Sequence, residues 1–148
     1  MKKDLDNLVC FNIYEGWRCI TAIHKHVYGN DLTLSMHLLL RLFEVKNTPS
    51  INDLSKGMNI DVFAVSALIG RMEKRGLLRR EKGKAYRRTV FVTLTKEGKD
   101  LKAFFKSKAE LFNQIITEGI SLSDLETLQR IVVKIEKNRN KLNTHTPN

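Results

Sequence analysis

Ser50 to Leu78 reads SINDLSKGMNIDVFAVSALIGRMEKRGLL, two short helical periods on either side of a tight break. Ser50 with Asp53 three positions on makes a capping box. Ile51 and Leu54 then share one face of a short helix that Gly57 is expected to end. GMN supplies the turn. Asp61 caps a second helix, in which Val62, Val65, Leu68, Ile69 and Met72 recur at helical spacing and Gly76 marks the stop. Two short helices joined by a glycine-containing turn make a helix-turn-helix candidate. Periodicity alone leaves the helical hairpin of an ordinary bundle as the other reading.

The next stretch decides between them. In LLRREKGKAYRRTVFVTLT, Leu77 to Thr95, the residues Leu77–Arg80 and Thr89–Leu94 read as two strands, with Val90, Val92 and Leu94 on one side. Between them EKGKAYRR is a basic hairpin tip. A two-stranded hairpin is marginal alone in water, so this one must lean on the helix before it. A helix-turn-helix followed by a basic hairpin is the winged-helix arrangement. The expected fold class is therefore mainly α with a small β-hairpin wing.

Working outward, residues 5–27 place Leu5, Leu8, Val9, Ile13, Trp17, Ile20, Ile23 and Val27 on one helical stripe, with Phe11 and Tyr14 off it. Such a helix is expected to pack both on its own domain and on a partner subunit. Thr33 caps LTLSMHLLLRLFEVK, whose Met36, Leu38, Leu39, Leu40, Leu42 and Phe43 nearly encircle it, the pattern of a core helix. Pro49 then breaks the helical pattern. TKEGKDLKAFFKSKAELFNQIITEG reads as one long helix with Leu101, Phe104, Phe105, Leu111, Phe112, Ile115 and Ile116 as its stripe. A last helix is expected behind a capping box of Ser123 and Glu126, carrying Leu125, Leu128, Ile131, Val132 and Ile135, and NTHTPN is a polar tail.

At 148 residues the chain reads as one domain with extensions. Its net charge of +10 is unevenly placed: residues 71–108 hold 14 Lys+Arg and 4 Asp+Glu, and the rest hold 12 of each. A solvated surface needs no such segregation, whereas a polyanion-binding face does. An anionic membrane would prefer a basic amphipathic helix, and part of this segment reads as strand and turn. Apolar runs fall short of the roughly 18 residues of a span, and the N-terminus lacks a signal peptide's apolar block, so a cytoplasmic protein without a membrane partner is expected.

Enzyme classes find no support. There is no paired acid/base carboxylate motif, no glycine-rich phosphate loop, and no nucleophile with a histidine at a recognisable spacing, so no catalytic residue and no cofactor is assigned. Cys10 and Cys19 stand nine residues apart on one helix and face opposite sides, which rules out a bridge within it. Redox sensing through either has little support, because cysteine is among the most buried residue types and only Arg18 is a cationic neighbour. His24, His26 and His37 lack metal-ligand spacing, so no metal site is expected. Phe11, Tyr14, Trp17 and Phe43 read as core more readily than as the lining of a ligand pocket.

Four pieces, LTLSMHLLLRLF, INDLSKGMNID, LIGRMEKRGLLRR and RRTVFVTLTKEG, resemble the MarR-type transcriptional regulators in order and spacing, over about residues 5–142. The resemblance implies a homodimer whose N- and C-terminal helices intertwine, each subunit presenting a winged helix-turn-helix to half of a pseudo-palindromic site on double-stranded DNA. It also implies release by a small phenolic effector or by thiol oxidation. On that pattern residues 33–98 form the DNA-binding lobe, 5–28 and 99–142 the dimerisation helices, and 143–148 the tail of a single domain. Two positions depart from the family: Tyr86 stands where the wing commonly carries Asp, and Ala67 where the recognition helix often carries Arg.

If Asp61–Arg75 is the recognition helix, Phe63, Ala64, Ser66, Ala67, Gly70, Arg71 and Lys74 point outward. Small residues let a helix approach base edges, Ser donates or accepts, and Phe or Ala can touch thymine methyls. Of these, Phe63, Ala64, Ser66, Ala67, Arg71 and Lys74 are the DNA-contact candidates. In the wing, Arg87 and Arg88 suit a narrow minor groove, while Lys82 and Lys84 suit phosphates. The rival reading is an architectural nucleic-acid binder of low specificity.

Overall fold

The computed structural model describes residues 5–83 and 89–143. In order they form α1 (Val9–Tyr28), α2 (Leu34–Leu42), α3 (Ile51–Met58), α4 (Val62–Lys74), β1 (Leu78–Lys82), β2 (Val90–Leu94), α5 (Lys96–Ser107), α6 (Ala109–Thr117) and α7 (Leu122–Asn143). The chain divides into two compact units, Met1–Asn113 and Gln114–Asn148. A mainly helical chain with one two-stranded antiparallel hairpin is the architecture expected from sequence.

Short polar side chains set the helix starts by satisfying orphan backbone donors. Thr33 Oγ1 accepts from the Met36 N–H at the head of α2. At α3 the capping box is complete: Ser50 Oγ accepts from the Asp53 N–H, and Asp53 Oδ2 accepts from the Ser50 N–H. Asp61 Oδ1 accepts from the Ala64 N–H at 2.8 Å and opens α4. Thr95 Oγ1 accepts from the Gly98 N–H and donates to the Gly76 carbonyl at 2.6 Å, so one hydroxyl both starts α5 and ties it to the end of α4.

The core of the first unit is built on α2 and α4. Leu39, Leu40 and Phe43 meet Leu54 of α3, Val65, Leu68, Ile69 and Met72 of α4, Leu78 and Val92 of the hairpin, and Phe105 of α5. Each such side chain contributes about 1.5–3 kcal/mol on burial. Val27 and Tyr28 close the cluster from α1, where the Tyr28 hydroxyl donates to the Phe105 carbonyl at 3.3 Å. Lysines serve helix ends here: Lys108 Nζ donates to the Val27 carbonyl at 2.9 Å, and Lys102 Nζ lies 3.5 Å from that of Phe43.

Several boundaries differ from the sequence expectation. Helix α3 does not end at Gly57 but runs to Met58, and Asn59 closes it with φ 52°. Asn tolerates the left-handed region. Gly57 lies inside the helix instead, packed on α2: a Cβ there would stand 2.8 Å from Leu42 Cδ1, a side-chain methyl that can move aside. Val62, expected inward, is half-exposed and lines a cleft of about 200 Å³ with Ser50, Ile51, Asn52, Thr89 and Val90. Strand β1 starts one residue later than expected and continues through Glu81 and Lys82, which pair with Phe91 and Val90. The expected single helix after Thr95 is two, interrupted at Lys108, whose backbone (φ −109°, ψ 2°) leaves the helical range. The last helix starts at Leu122 behind a box of Ser121 and Asp124, two residues ahead of the expected Ser123–Glu126 pair. Gly119 at φ 74° turns the chain immediately before it.

Two expectations of burial fail as well. Helix α1 starts at Val9, and of its stripe only the C-terminal part reaches the core: Leu5, Leu8, Val9, Ile13 and Trp17 are exposed. On α2, Leu38 is exposed although its apolar neighbours Leu39 and Leu40 are buried. No helix among the described residues is long and apolar enough to cross a membrane.

Candidate nucleic-acid interface

Helix α4 has two faces set by its period. Val65, Leu68, Ile69 and Met72 are fully buried, which forces the intervening residues outward. Phe63 is 89% exposed, and Ala64, Ala67, Arg71 and Lys74 are exposed beside it, while Ser66 and Gly70 are half-buried. A phenylalanine left almost wholly in water at the first turn of a helix forfeits the stabilisation its burial would bring. Both ends of this helix are locally fixed. Asp61 caps the start. At the other end the Leu77 N–H donates to the Met72 carbonyl and the Gly76 N–H to that of Glu73, with Gly76 at φ 71°. That is a Schellman turn, and it delivers the chain straight into β1.

The hairpin is bound to the lobe on both sides. Leu78 and Val92 are buried, and the Val92 N–H also donates to the Pro49 carbonyl at 2.9 Å, which joins β2 to the entry of α3. Lys82 sits at the far end of the ladder opposite Val90 and is exposed. Thr93 Oγ1 donates to Glu81 Oε1 at 3.0 Å across the strands. The other wing candidates, Lys84, Arg87 and Arg88, together with Tyr86, lie outside the described residues. The helix-turn-helix candidates Phe63, Ala64, Ala67, Arg71 and Lys74 are thus brought onto one surface, and Ser66 is only partly available on it.

Sequence reasoning missed the partner that engages Ser66. Arg80 of β1 donates from Nη2 to the Ser66 carbonyl at 2.7 Å and to Ser66 Oγ at 3.1 Å, and its Nε lies 3.7 Å from Glu73 Oε2. The signal was present in strand alternation, because Arg80 shares a face with Leu78 and opposes Val92. At the entry to α3, Asp53 is held down to about 2, first by the Lys46 ammonium 2.7 Å away and then by Ser50. An exposed pair of this kind adds little to stability, but it keeps the cap ionised.

A second cluster was also missed. His24, Tyr28 and His37 pack with Phe105 and Phe112, and the His37 ring stacks on Phe105 at 4.2 Å with the planes 2° apart. His24 and His37 are 5.5 Å apart, and His24 Nε2 and His37 Nδ1 are buried without a hydrogen-bond partner. Burial pushes His37 down to about 4, with His24 and Arg41 acting the same way and Glu44 against them. Burial also lowers His24, opposed by its bond to the Leu32 backbone. Among the described residues no three metal-ligating side chains converge.

The four aromatic residues expected in the core separate. Phe43 is buried there and Phe11 is half-buried, whereas Tyr14 is exposed and Trp17 is 48% exposed. Cys10 and Cys19 are both free and exposed, against the burial expected of cysteine. Arg18, beside Cys19, is tied to Glu15 by two hydrogen bonds of 3.2 and 2.9 Å.

Comparison with known proteins agrees with this geometry. The MarR family model matches residues 32–90, which run from Leu32, just before the cap of α2, to the first residue of β2. An organic hydroperoxide resistance transcriptional regulator of Bacillus subtilis is 27% identical over 106 residues, 71% of this chain and 69% of its own length. The structure of Bordetella bronchiseptica BpsR, whose DNA binding is regulated by 6-hydroxynicotinic acid, superposes with a TM-score of 0.71 at 25% identity over 86% of this chain and 98% of that one. A mutant MarR of Escherichia coli complexed with operator DNA shares the fold, with a TM-score of 0.70 at 18% identity over 89% and 93% of the two chains. With its capped helix pair, its hairpin wing and these relatives, the chain carries a MarR family winged helix-turn-helix region over residues 32–90.

Proposed function

We propose that the protein is a sequence-specific regulator that binds double-stranded DNA as a homodimer on a pseudo-palindromic site and is released by a small effector. The observation that carries this reading is the outward face of α4. Phe63 stands 89% exposed on the same helix as exposed Ala64, Ala67, Arg71 and Lys74, beside a basic hairpin. An apolar ring, small residues and cations together suit base edges and phosphates of a major groove. In this reading Phe63 and the two alanines meet thymine methyls, Arg71 and Lys74 meet base edge or phosphate, Lys82 and Lys84 meet phosphates, and Arg87 and Arg88 enter the minor groove.

Residues 33–98 are the DNA-binding lobe, and the helices of 5–28 and 99–142 are the dimerisation elements, in line with the apolar residues they leave in water. The relatives suggest two effector classes. BpsR responds to a hydroxylated aromatic acid, and the B. subtilis regulator is named for organic hydroperoxides. Exposed Cys10 and Cys19 leave the second class open to this chain. A low-specificity architectural binder is the second reading, favoured by the two alanines and the engaged Ser66 on the base-facing surface.

Footprinting on DNA upstream of the protein's own gene tests both, with and without hydroxylated aromatic acids and cumene hydroperoxide. A protected palindrome resistant to competitor DNA supports the regulator, and diffuse protection supports the architectural binder. Arg88→Ala should weaken binding and reduce the slope of log affinity on log salt by about one. An unchanged slope would remove Arg88 from the interface.

A further inference from the structure

Arg80 occupies an unusual lane. It stands on β1 opposite Val92, on the strand face that Leu78 commits to the core. A guanidinium cannot follow a leucine inward without a large desolvation cost, so the side chain runs along α4 instead. There it meets Ser66 through the two Nη2 contacts at 2.7 and 3.1 Å, and Glu73 through Nε at 3.7 Å; the Arg80 backbone N–H donates to Glu73 Oε1 at 3.2 Å as well. Ser66, Gly70 and Glu73 are four and three residues apart and therefore line one helix face. Gly70 borders that lane: a Cβ there would lie in ordinary contact with Arg80 Nη2, at 3.8 Å.

The chemistry of the contact is directional. Arginine only donates, so the Ser66 oxygen spends one of its two lone pairs on it, and the guanidinium charge beside the hydroxyl favours the remaining O–H over the remaining lone pair as what is offered to a ligand. Glu73 answers the guanidinium charge, which makes Arg80 a poor free cation for a phosphate. We infer that Arg80 is a positioning residue for base recognition: it orients the Ser66 hydroxyl and biases it toward donation, and so favours base edges that accept (guanine O6 or N7, adenine N7, thymine O4) over the amino donors of cytosine and adenine. The inference rests on the DNA-binding reading above and deepens it, because it gives a specificity role to a residue that touches no base.

The test uses the full chain and two duplexes: one selected by the wild-type protein from a randomised library, and a scrambled duplex of the same composition. Lysine at position 80 keeps the charge but loses the planar fork. Arg80→Lys should lower the selected-to-scrambled affinity ratio about tenfold, the worth of one directed polar contact to a base, with the salt slope unchanged. Ser66→Ala should do the same. The double variant should be no worse than either single one, since the two act through one hydroxyl. Glu73→Gln, which leaves Ser66 and Arg80 in place but loosens the fork, should give a smaller loss in the same direction, and it guards against a misfolded Arg80 variant.

Lys82→Ala is the contrast, expected to lower the slope by about one while the ratio holds. Additive losses in the double variant overturn the inference. So does an Arg80→Lys protein that keeps the ratio, or one that weakens both duplexes alike with a shallower slope. A wild-type chain with no salt-dependent DNA affinity overturns the DNA-binding reading itself, and a wild-type ratio near one overturns sequence-specific recognition and this inference with it.

Discussion

The stretch from Ser50 to Gly98 and the two long helices α1 and α7 use apolar residues in opposite ways. In the first, Leu54, Val65, Leu68, Ile69, Met72, Leu78 and Val92 are all buried within the chain, and each helix start has its cap. In the second, apolar side chains recur at helical spacing yet remain in water. On α7, Leu128, Ile131, Val132, Ile135 and Leu142 fall on one face and all are exposed. The first half of α1 repeats this with Val9, Ile13 and Trp17. Single exposed apolar residues are ordinary, but a whole face of them marks an association surface. The lobe buries its apolar residues within one chain, whereas the long helices leave theirs uncovered, as the proposed dimer requires.

If the lobe is self-sufficient, its tightest backbone contact should be its weakest point for substitution. Gly98 is the third residue of α5, and an added Cβ would stand 2.0 Å from the Leu77 carbonyl oxygen. That carbonyl already accepts from the Thr95 N–H at 3.1 Å, so it cannot retreat without breaking the joint between α4 and α5. Helix propensity favours alanine over glycine by about 1 kcal/mol, and the clash outweighs it. Gly98→Ala should cost on the order of 4 kcal/mol, read as a large fall in the urea midpoint. Gly57→Ala meets only the movable methyls of Leu42 at 2.8 Å and should cost about 1 kcal/mol. Equal midpoints for the two would mean that the α4–α5 joint is not rigid.

The complementary break lies in α7. Ile131→Asp with Ile135→Asp leaves a helix that is already exposed in the chain, so the fold of a lone subunit should be little changed. In the proposed dimer the same pair would place two unpaired carboxylates in an apolar interface, costing roughly 3 kcal/mol or more, or at least a hundredfold in dimer affinity. Sedimentation at micromolar concentration should show the wild type as a dimer and the variant as a monomer. A variant that stays dimeric would take α7 out of the interface.

The same contrast explains which features could be read from sequence. Thr33, Ser50, Asp61 and Thr95 were legible as helix starts because a cap is a local bond, three residues long. Gly57 was misread because its packing is on Leu42, fifteen positions away and on another helix. Ser121 and Ser123 both begin a plausible box, and only the turn at Gly119 chooses between them. The break at Lys108 follows tertiary contacts, its ammonium reaching the Val27 carbonyl and lying 4.8 Å over the Phe104 ring. At the candidate site, the outward face of α4 followed from period 3.6. Strand alternation puts Arg80 on the face of Leu78, but its clasp on Ser66 did not follow, since that needs the helix and strand placed against each other.

The smallest expected effect probes a soft spot at the edge of the self-contained lobe, the His24–His37 pair. Facing His37 are Tyr28, whose hydroxyl is committed to the Phe105 carbonyl, together with Arg41 and Glu44. Both histidines have pKa values lowered by folding, so the unfolded chain binds protons that the native one refuses. Stability therefore falls as pH drops through the ordinary 6.5 and levels off near 4, where native His37 itself titrates. For His37 the loss between pH 7.5 and 5 is on the order of 2 kcal/mol. Asp53 works in a separate window: its contribution is present above 3.8 and fades only as pH approaches 2. His37→Phe should keep the stack on Phe105 while removing the proton, so its urea midpoint should exceed that of the wild type at pH 5 and vary less between pH 7.5 and 5. A wild-type midpoint that is flat over that range would mean that the two rings are hydrated, and that the lobe is open at this edge even in one chain.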